Sequence, residues 1–320
     1  MSELRTLGST GLSVPALIAG GNVFGWTADE ATSFAILDAW VDAGIATIDT
    51  ADVYSAFVPG NVGGESETIL GKWMKARGNR SSIQISTKMG LLPVSGGRKG
   101  LAPDIIAEAI ELSLQRLQTD YVDLYFAHWD DETVPQDAVA EGFDRLIKAG
   151  KVRAIGASNF SQPRLASALD AAKEAGLASY GALQPEFNLM AVPSFPADYR
   201  QFCIDNDIGT LTYFALASGF LTGKYRAAAD VQGSARERLL GGYFNARGDR
   251  VLAALDRIAA DTGATLPQIA LAWQIATPGV TAPIASASSV AQVASLIPAL
   301  ELKLDAEQLA ALDAAAATPV

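Results

Sequence analysis

Short apolar runs alternate with amphipathic segments from one end of this sequence to the other, and few architectures accommodate that rhythm. Eight runs read as strands: Leu17 to Ala19, Thr47 to Asp49, Ile83 to Thr87, Val122 to Ala127, Val152 to Gly156, Ala182 to Gln184, Gly209 to Tyr213 and Val280 to Pro283. Helices are predicted between them over Glu30 to Ala43 (behind an Asp29 cap), Glu65 to Arg77, Pro103 to Leu117, Pro135 to Ala149, Pro163 to Ala175 and Pro196 to Asn206. Proline recurs in the first turn, where its missing N–H costs nothing. No linker rich in Gly, Ser or Pro divides the series, so residues 1–320 are expected to form one domain, a (β/α)8 TIM barrel. An N-terminal hairpin (Leu4 to Leu7, a turn at Gly8 to Gly11, then Ser13 to Ile18) should precede it, and Asp305 should cap a terminal helix. The rival is a doubly wound open sheet, but no G-x-G and no G-K-[ST] occurs, which removes the Rossmann fingerprint and the P-loop.

Composition narrows the function classes. With 49% hydrophobic and 18% charged residues the chain is not disordered. Its 24 Lys and Arg stand against 35 Asp and Glu, and the net charge of −11 would repel nucleic acid and anionic membranes alike. The single cysteine, Cys203, makes no intrachain disulfide and fits a reducing compartment. The single histidine, His128, excludes a multi-histidine metal centre, so no metal is expected. The charged start, MSELRTLGST, is unlike a signal peptide, and no apolar run nears the roughly 18 residues of a membrane span. A soluble, cytoplasmic protein acting on a small molecule is expected.

The polar residues at strand ends carry the chemistry. Asp49 closes the second strand with Tyr54 five residues on, Lys88 closes the third, and His128 closes the fourth, so a barrel sets all four on one rim. Singly, each has a bland explanation: a helix cap, a surface lysine, a satisfied core histidine. Together they suit proton transfer. Free tyrosine titrates near pH 10, and a neighbouring ammonium lowers that value, so Lys88 held by Asp49 is expected to activate Tyr54. His128 remains to hydrogen-bond a carbonyl oxygen. A lyase or isomerase using Lys88 as a Schiff-base nucleophile is the alternative from another reaction class.

The motifs LRTLGSTGLSVPALIAGG, IDTADVY, GGESETILGKW, STKMG, YVDLYFAHWDD, VRAIGASNF, LQPEFNL, LTYFALASGFLTGKY and ALAWQ, in this order, resemble the aldo-keto reductase superfamily over nearly the whole chain. The resemblance implies a barrel that binds NADP(H), less often NAD(H), and moves a hydride between it and an aldehyde or ketone. It implies that Asp49, Tyr54, Lys88 and His128 form the catalytic tetrad, with Tyr54 the acid in reduction. It also implies that Ser158, Asn159 and Gln184 hold the nicotinamide carboxamide, that Tyr213 stacks on the ring, and that Lys224 lies near the cofactor phosphates. Some proteins of this fold are regulatory modules, which makes a non-catalytic cofactor-binding role the second reading.

The adenosine end departs from the family pattern. After the eighth strand the chain reads PIASASSVAQVASL, offering Ser286, Ser288 and Gln292 without any Arg or Lys. Between Lys224 and Arg250, six cations face three acids, a local +3 in an acidic chain, and Arg236 is the candidate phosphate contact. NADP(H) is therefore expected, with NAD(H) as the alternative. Trp26, Phe57 and Trp129, near the rim loops, are candidates for an apolar substrate wall, with Tyr243 and Phe244 further off.

Overall fold

A computed structural model of the chain describes residues 4–234 and 237–317. Strands β1 (Leu4–Thr6) and β2 (Ser13–Pro15) pair antiparallel across a single 3-10 turn. Eight parallel strands follow: β3 (Ile18–Gly20), β4 (Thr47–Asp49), β5 (Gln84–Met89), β6 (Val122–Ala127), β7 (Val152–Ser158), β8 (Ala182–Gln184), β9 (Gly209–Thr212) and β10 (Ala282–Ala285). Each pairs with its neighbours in sequence, and β10 pairs with both β9 and β3, closing a (β/α)8 barrel. The helices are α1 (Glu30–Asp42), α2 (Glu65–Arg77), α3 (Pro103–Leu117), α4 (Gln136–Lys148), α5 (Gln162–Ala175), α6 (Ala197–Asp205), α7 (Glu237–Leu240), α8 (Ala246–Thr262), α9 (Leu266–Ala276), α10 (Val290–Leu296) and α11 (Ala306–Ala317).

Helix α3 shows how the sequence builds the outer layer. Pro103 occupies its first turn, and Ile106, Ile110, Leu114 and Leu117 recur at helical spacing to form a buried stripe. These side chains belong to a core between the barrel wall and the helices, together with the buried indoles of Trp40 and Trp73. A second core fills the barrel floor, where Leu7, Leu12 and Val14 of the hairpin meet Leu124, Phe126, Leu211 and Ile284. Gly8 takes a left-handed φ of +49, and a Cβ there would lie 2.2 Å from the Gly209 nitrogen, so only glycine lets the hairpin press this close. The hairpin plugs one end of the barrel and leaves the other end to the chemistry.

Some boundaries differ from the sequence-based expectation. The eighth strand begins two residues later, at Ala282, because Thr281 is engaged at the floor: its carbonyl accepts from Arg5 (3.0 Å) and its N–H reaches Thr210. The apolar run VTAPIA has no internal period to show this. The third strand runs on to Met89 and the fifth to Ser158, while the seventh stops at Thr212. Helices α8 and α9 are additional to the helices expected from the sequence. Asn245 caps α8 by accepting from the N–H groups of Arg247 and Gly248, and Thr265 with Gln268 forms a capping box for α9. The Asp305 cap is present, its carboxylate accepting from Gln308 N–H at 2.8 Å. Among the described residues no helix is long and apolar enough to cross a membrane.

Candidate active site

Parallel strands bring their C-terminal ends to one rim. Asp49 is the last residue of β4, Lys88 lies next to last in β5, and His128 directly follows β6. Tyr54 returns to this rim through a tight turn after β4, in which Ser55 adopts φ 67 and its hydroxyl donates to the Phe24 carbonyl at 2.8 Å.

The ammonium of Lys88 is 1% exposed and uses all three of its protons. It donates to Asp49 Oδ2 at 2.7 Å, to the Thr50 carbonyl at 2.7 Å and to Tyr54 Oη at 2.8 Å. Asp49 is equally buried. Its Oδ1 accepts from Ser86 Oγ (3.0 Å) and Gln184 Nε2 (2.8 Å), and its Oδ2 also accepts from Tyr54 at 3.3 Å. A buried ion pair is tolerable only when its remaining valences are met in this way. Behind it, Glu67 accepts from Thr87 Oγ1 at 2.6 Å and from Arg116 Nε at 2.6 Å. Asp52 is buried beside them, and burial, reinforced by Glu67, raises its carboxyl well above the usual range.

The direction expected for Tyr54 is reversed. Burial, then the Asp49 carboxylate, pushes the phenol well above its ordinary value, outweighing any help from the Lys88 ammonium. The resting hydroxyl therefore holds its proton at neutral pH. Burial also lowers Lys88, against the attraction of Asp49.

His128 packs edge-on to Tyr54 with ring centroids 6.2 Å apart, and its Nδ1 is buried without a hydrogen-bond partner. Burial first, and Lys88 second, lower its pKa from 6.5 to about 3, so the imidazole is neutral. Since the unfolded chain takes up this proton first, the associated stability is present above pH 6.5 and is lost as pH falls toward about 3. Because the chain holds one histidine, proton NMR gives a single imidazole Cε1–H signal. That signal is expected to stay at one position between pH 5 and 8; a midpoint near 6.5 would contradict the burial argument.

The residues assigned to the nicotinamide are contiguous with this cluster. Tyr213, just past β9, donates from its hydroxyl to Asn159 Oδ1 at 2.7 Å. Asn159, at φ 59, donates from Nδ2 to the His128 carbonyl (2.9 Å) and to Ser158 Oγ (3.1 Å), and Ser158 donates to the Gln184 carbonyl (2.9 Å). The Gln184 amide points to Asp49, so it joins the charged cluster directly, which the sequence reading did not anticipate. That reading also missed Ser86, Thr50, Asp52, Glu67 and Arg116. Ser86 had a signal, since it precedes Lys88 by two residues and shares its face of the strand.

The other candidates are more scattered. Lys224 is exposed, its Nζ 5.1 Å from the Tyr225 ring centroid. The basic island is divided: Arg226 forms a two-point pair with Asp256 (2.8 and 2.9 Å), and buried Arg247 reaches the Leu189 carbonyl. Arg236 lies outside the described residues. Ser286 Oγ bonds Asn22, and Ser288 donates to Gln292 Oε1 from its N–H at 2.8 Å and its hydroxyl at 3.1 Å. Trp26 and Phe57 meet edge-to-face at 5.1 Å, whereas Trp129 is 55% exposed. A recess between α4 and α5, lined by Phe160, Tyr180 and the Asp130–Arg164 pair, contains none of the four clustered residues. Chemistry rather than volume therefore locates the site.

The model of the Aldo/keto reductase family matches residues 16–317. The chain belongs to this family. Among curated relatives of this aldo/keto reductase is an uncharacterized oxidoreductase, YrpG of Bacillus subtilis, 32% identical over 319 residues, covering 97% of this chain and 95% of the relative. The aldo-keto reductase YhdN of the same organism is 37% identical over 228 residues, 69% of this chain and 64% of that one. A probable voltage-gated potassium channel subunit beta of rice is 31% identical over 309 residues, 94% of this chain and 92% of that protein. Membership in the aldo/keto reductase family implies nicotinamide-dependent oxidoreduction of carbonyl compounds.

Proposed function

We propose that this protein reduces an aldehyde or ketone to an alcohol with a reduced nicotinamide cofactor, Tyr54 serving as proton donor. The observation that carries this reading is the placement of the Tyr54 hydroxyl 2.8 Å from the Lys88 ammonium and 3.3 Å from Asp49, half-buried at the rim. The donor set also suits a planar ring bearing a carboxamide: a phenol ring from Tyr213, the Asn159 amide and the Ser158 hydroxyl lie in one hydrogen-bonded chain that ends on the Gln184 backbone carbonyl, and the Gln184 amide lies beside it on Asp49. When bound, the cofactor supplies the hydride that reaches the carbonyl carbon. Tyr54 gives its proton to the carbonyl oxygen as the C=O π bond opens, and Lys88 stabilises the phenolate left behind. Neutral His128 hydrogen-bonds the same oxygen and fixes its direction. The reverse steps run alcohol oxidation, with Tyr54 as base. The low cysteine content agrees with a cytoplasmic setting.

His128→Ala tests the division of labour. Hydride transfer followed by stopped flow should slow by about 10²-fold, the scale of a lost oxyanion donor, while cofactor affinity by fluorescence titration should hardly move. Loss of affinity with an unchanged transfer rate would remove the imidazole from this role.

We take NADP(H) as the preferred cofactor, by a modest margin over NAD(H). A 2′-phosphate carries roughly two negative charges near neutral pH, and Ser286, Ser288 and Gln292 hold no counter-charge. Discrimination then falls to the basic segment, and Arg236 and Arg238 are the residues proposed for it. The ratio of kcat/KM for NADPH to that for NADH should drop about tenfold in Arg236→Ala, the loss of one charge-assisted contact. A wild-type preference for NADH would overturn the choice.

The relative named as a potassium channel subunit favours one second reading, a cofactor-binding module that regulates a partner. Oxidation of one equivalent of bound cofactor without further turnover would support it.

A further inference from the structure

Resting on the reading that His128 orients the carbonyl oxygen, we propose that Arg164, acting through Asp130, is a positioning residue for this reaction. The two-point ion pair between them anchors the rim segment that carries His128 and so sets the direction of the imidazole. Arg164 lies in the first turn of the outer helix α5 and bonds none of the four clustered residues.

The imidazole has no partner of its own to aim it. A histidine's direction is commonly fixed by a hydrogen bond at one ring nitrogen, but Nδ1 of His128 is buried and bonds nothing. The direction therefore follows from the backbone that bears the ring. At His128 itself the N–H donates to the Met89 carbonyl at 2.9 Å, and the carbonyl accepts from Asn159 Nδ2 at 2.9 Å. These bonds hold the residue to the neighbouring strand ends but not the chain beyond it. Trp129, the next residue, is 55% exposed and packs weakly.

Asp130 supplies the next anchor. Its Oδ2 accepts from Arg164 Nε at 2.6 Å and its Oδ1 from Arg164 Nη2 at 3.0 Å. Two parallel bonds between a planar guanidinium and a planar carboxylate fix orientation as well as distance, which a single contact does not. The helix end of the pair is held in turn: Gln136 Nε2 donates to the Arg164 carbonyl at 3.0 Å, and Ser167 Oγ donates to Gln136 Oε1 at 2.5 Å. Asp131 then closes the segment, accepting from the Leu101 N–H at 3.0 Å and from Thr133 Oγ1 at 2.6 Å. Packing does not replace the pair, because it borders the recess between α4 and α5, where the buried Tyr180 hydroxyl also bonds nothing. The Arg164 side chain is 31% exposed and that of Asp130 12%, and a partly exposed pair adds little to stability. Its leverage is geometric, since a small misplacement of a catalytic group costs much more in rate than in folding.

The test uses His128 as its own reporter, since the chain holds one histidine. In Arg164→Ala its Cε1–H signal should move and broaden, because the imidazole no longer keeps one angle to the Tyr54 ring, whose centroid is 6.2 Å away. The kcat for the best aldehyde should fall about tenfold while the Kd for NADPH holds. The midpoint of chemical denaturation should barely shift. Arg164→Lys keeps the charge without the two-point geometry, and should change signal and kcat in the same direction by less. Should alanine unfold the chain, the lysine variant decides by the same two readouts. Arg145→Ala, which breaks the exposed pair with Glu141 on α4, should leave both as in wild type. An unmoved signal in the folded Arg164 variants, a moved signal with wild-type kcat, or equal effects in Arg145→Ala would overturn this inference alone. Absence of turnover with every aldehyde would overturn the carbonyl-reduction reading, and the NMR comparison would still decide whether Arg164 positions His128.

Discussion

Tyr54→Phe is expected to reduce carbonyl turnover by at least about 10²-fold, and up to about 10⁴-fold, the range found when a positioned general acid is removed. The substitution deletes one oxygen. Lys88 keeps its bonds to Asp49 and the Thr50 carbonyl, so the ammonium retains two of its three contacts. Because burial and Asp49 hold the phenol above its usual range, the hydroxyl is a loaded acid in the resting protein, and phenylalanine has nothing to donate. Binding of NADPH, measured by fluorescence quenching, should remain within about twofold, since removal of one neutral hydroxyl that does not touch the ring costs little. A folded Tyr54→Phe protein that reduces its best aldehyde at the wild-type rate would sink the acid assignment.

Lys88→Met carries the largest expected cost in stability. The methionine keeps most of the side-chain volume but leaves Asp49, itself 1% exposed, as a buried carboxylate without a cation. Breaking a buried pair from one side typically costs about 3–5 kcal/mol. Ser86 and Gln184 continue to donate to Oδ1, which moderates the loss without cancelling it. Chemical denaturation should therefore show a lower midpoint for Lys88→Met, with part of the loss recovered in the Asp49→Asn/Lys88→Met double variant, where no charge remains to be buried. A single variant within about 1 kcal/mol of wild type would mean that water reaches this pair freely. Turnover should fall in both variants, because the phenolate formed at Tyr54 loses its ammonium.

Much of this was legible along the chain, for a physical reason: hydrophobic period and strand-end position are local properties. The alternation that predicts eight strands also sets Asp49, Lys88 and His128 at their C-terminal ends, and a closed parallel barrel has no choice but to gather such ends on one rim. The caps at Asp29 and Asp305 were readable too, since a carboxylate three residues before a free N–H needs no distant partner. Long-range electrostatics was not readable. Whether Tyr54 is driven up or down depends on how deeply the packed chain buries it and on Asp49 at 3.3 Å, and burial is a property of the closed barrel. Gln184 lies 135 residues from Asp49 in sequence, and Glu67 with Arg116 meets the back of the cluster from two different helices. The basic segment marks the same boundary from the other side: composition registers six cations together, but only the packed chain gives Arg226 to Asp256 and sends Arg247 toward Leu189. The sequence by itself determined the rim and the kinds of groups on it; the tertiary structure decided their charge states and partners, because those depend on solvent exclusion and on contacts between segments far apart in the chain.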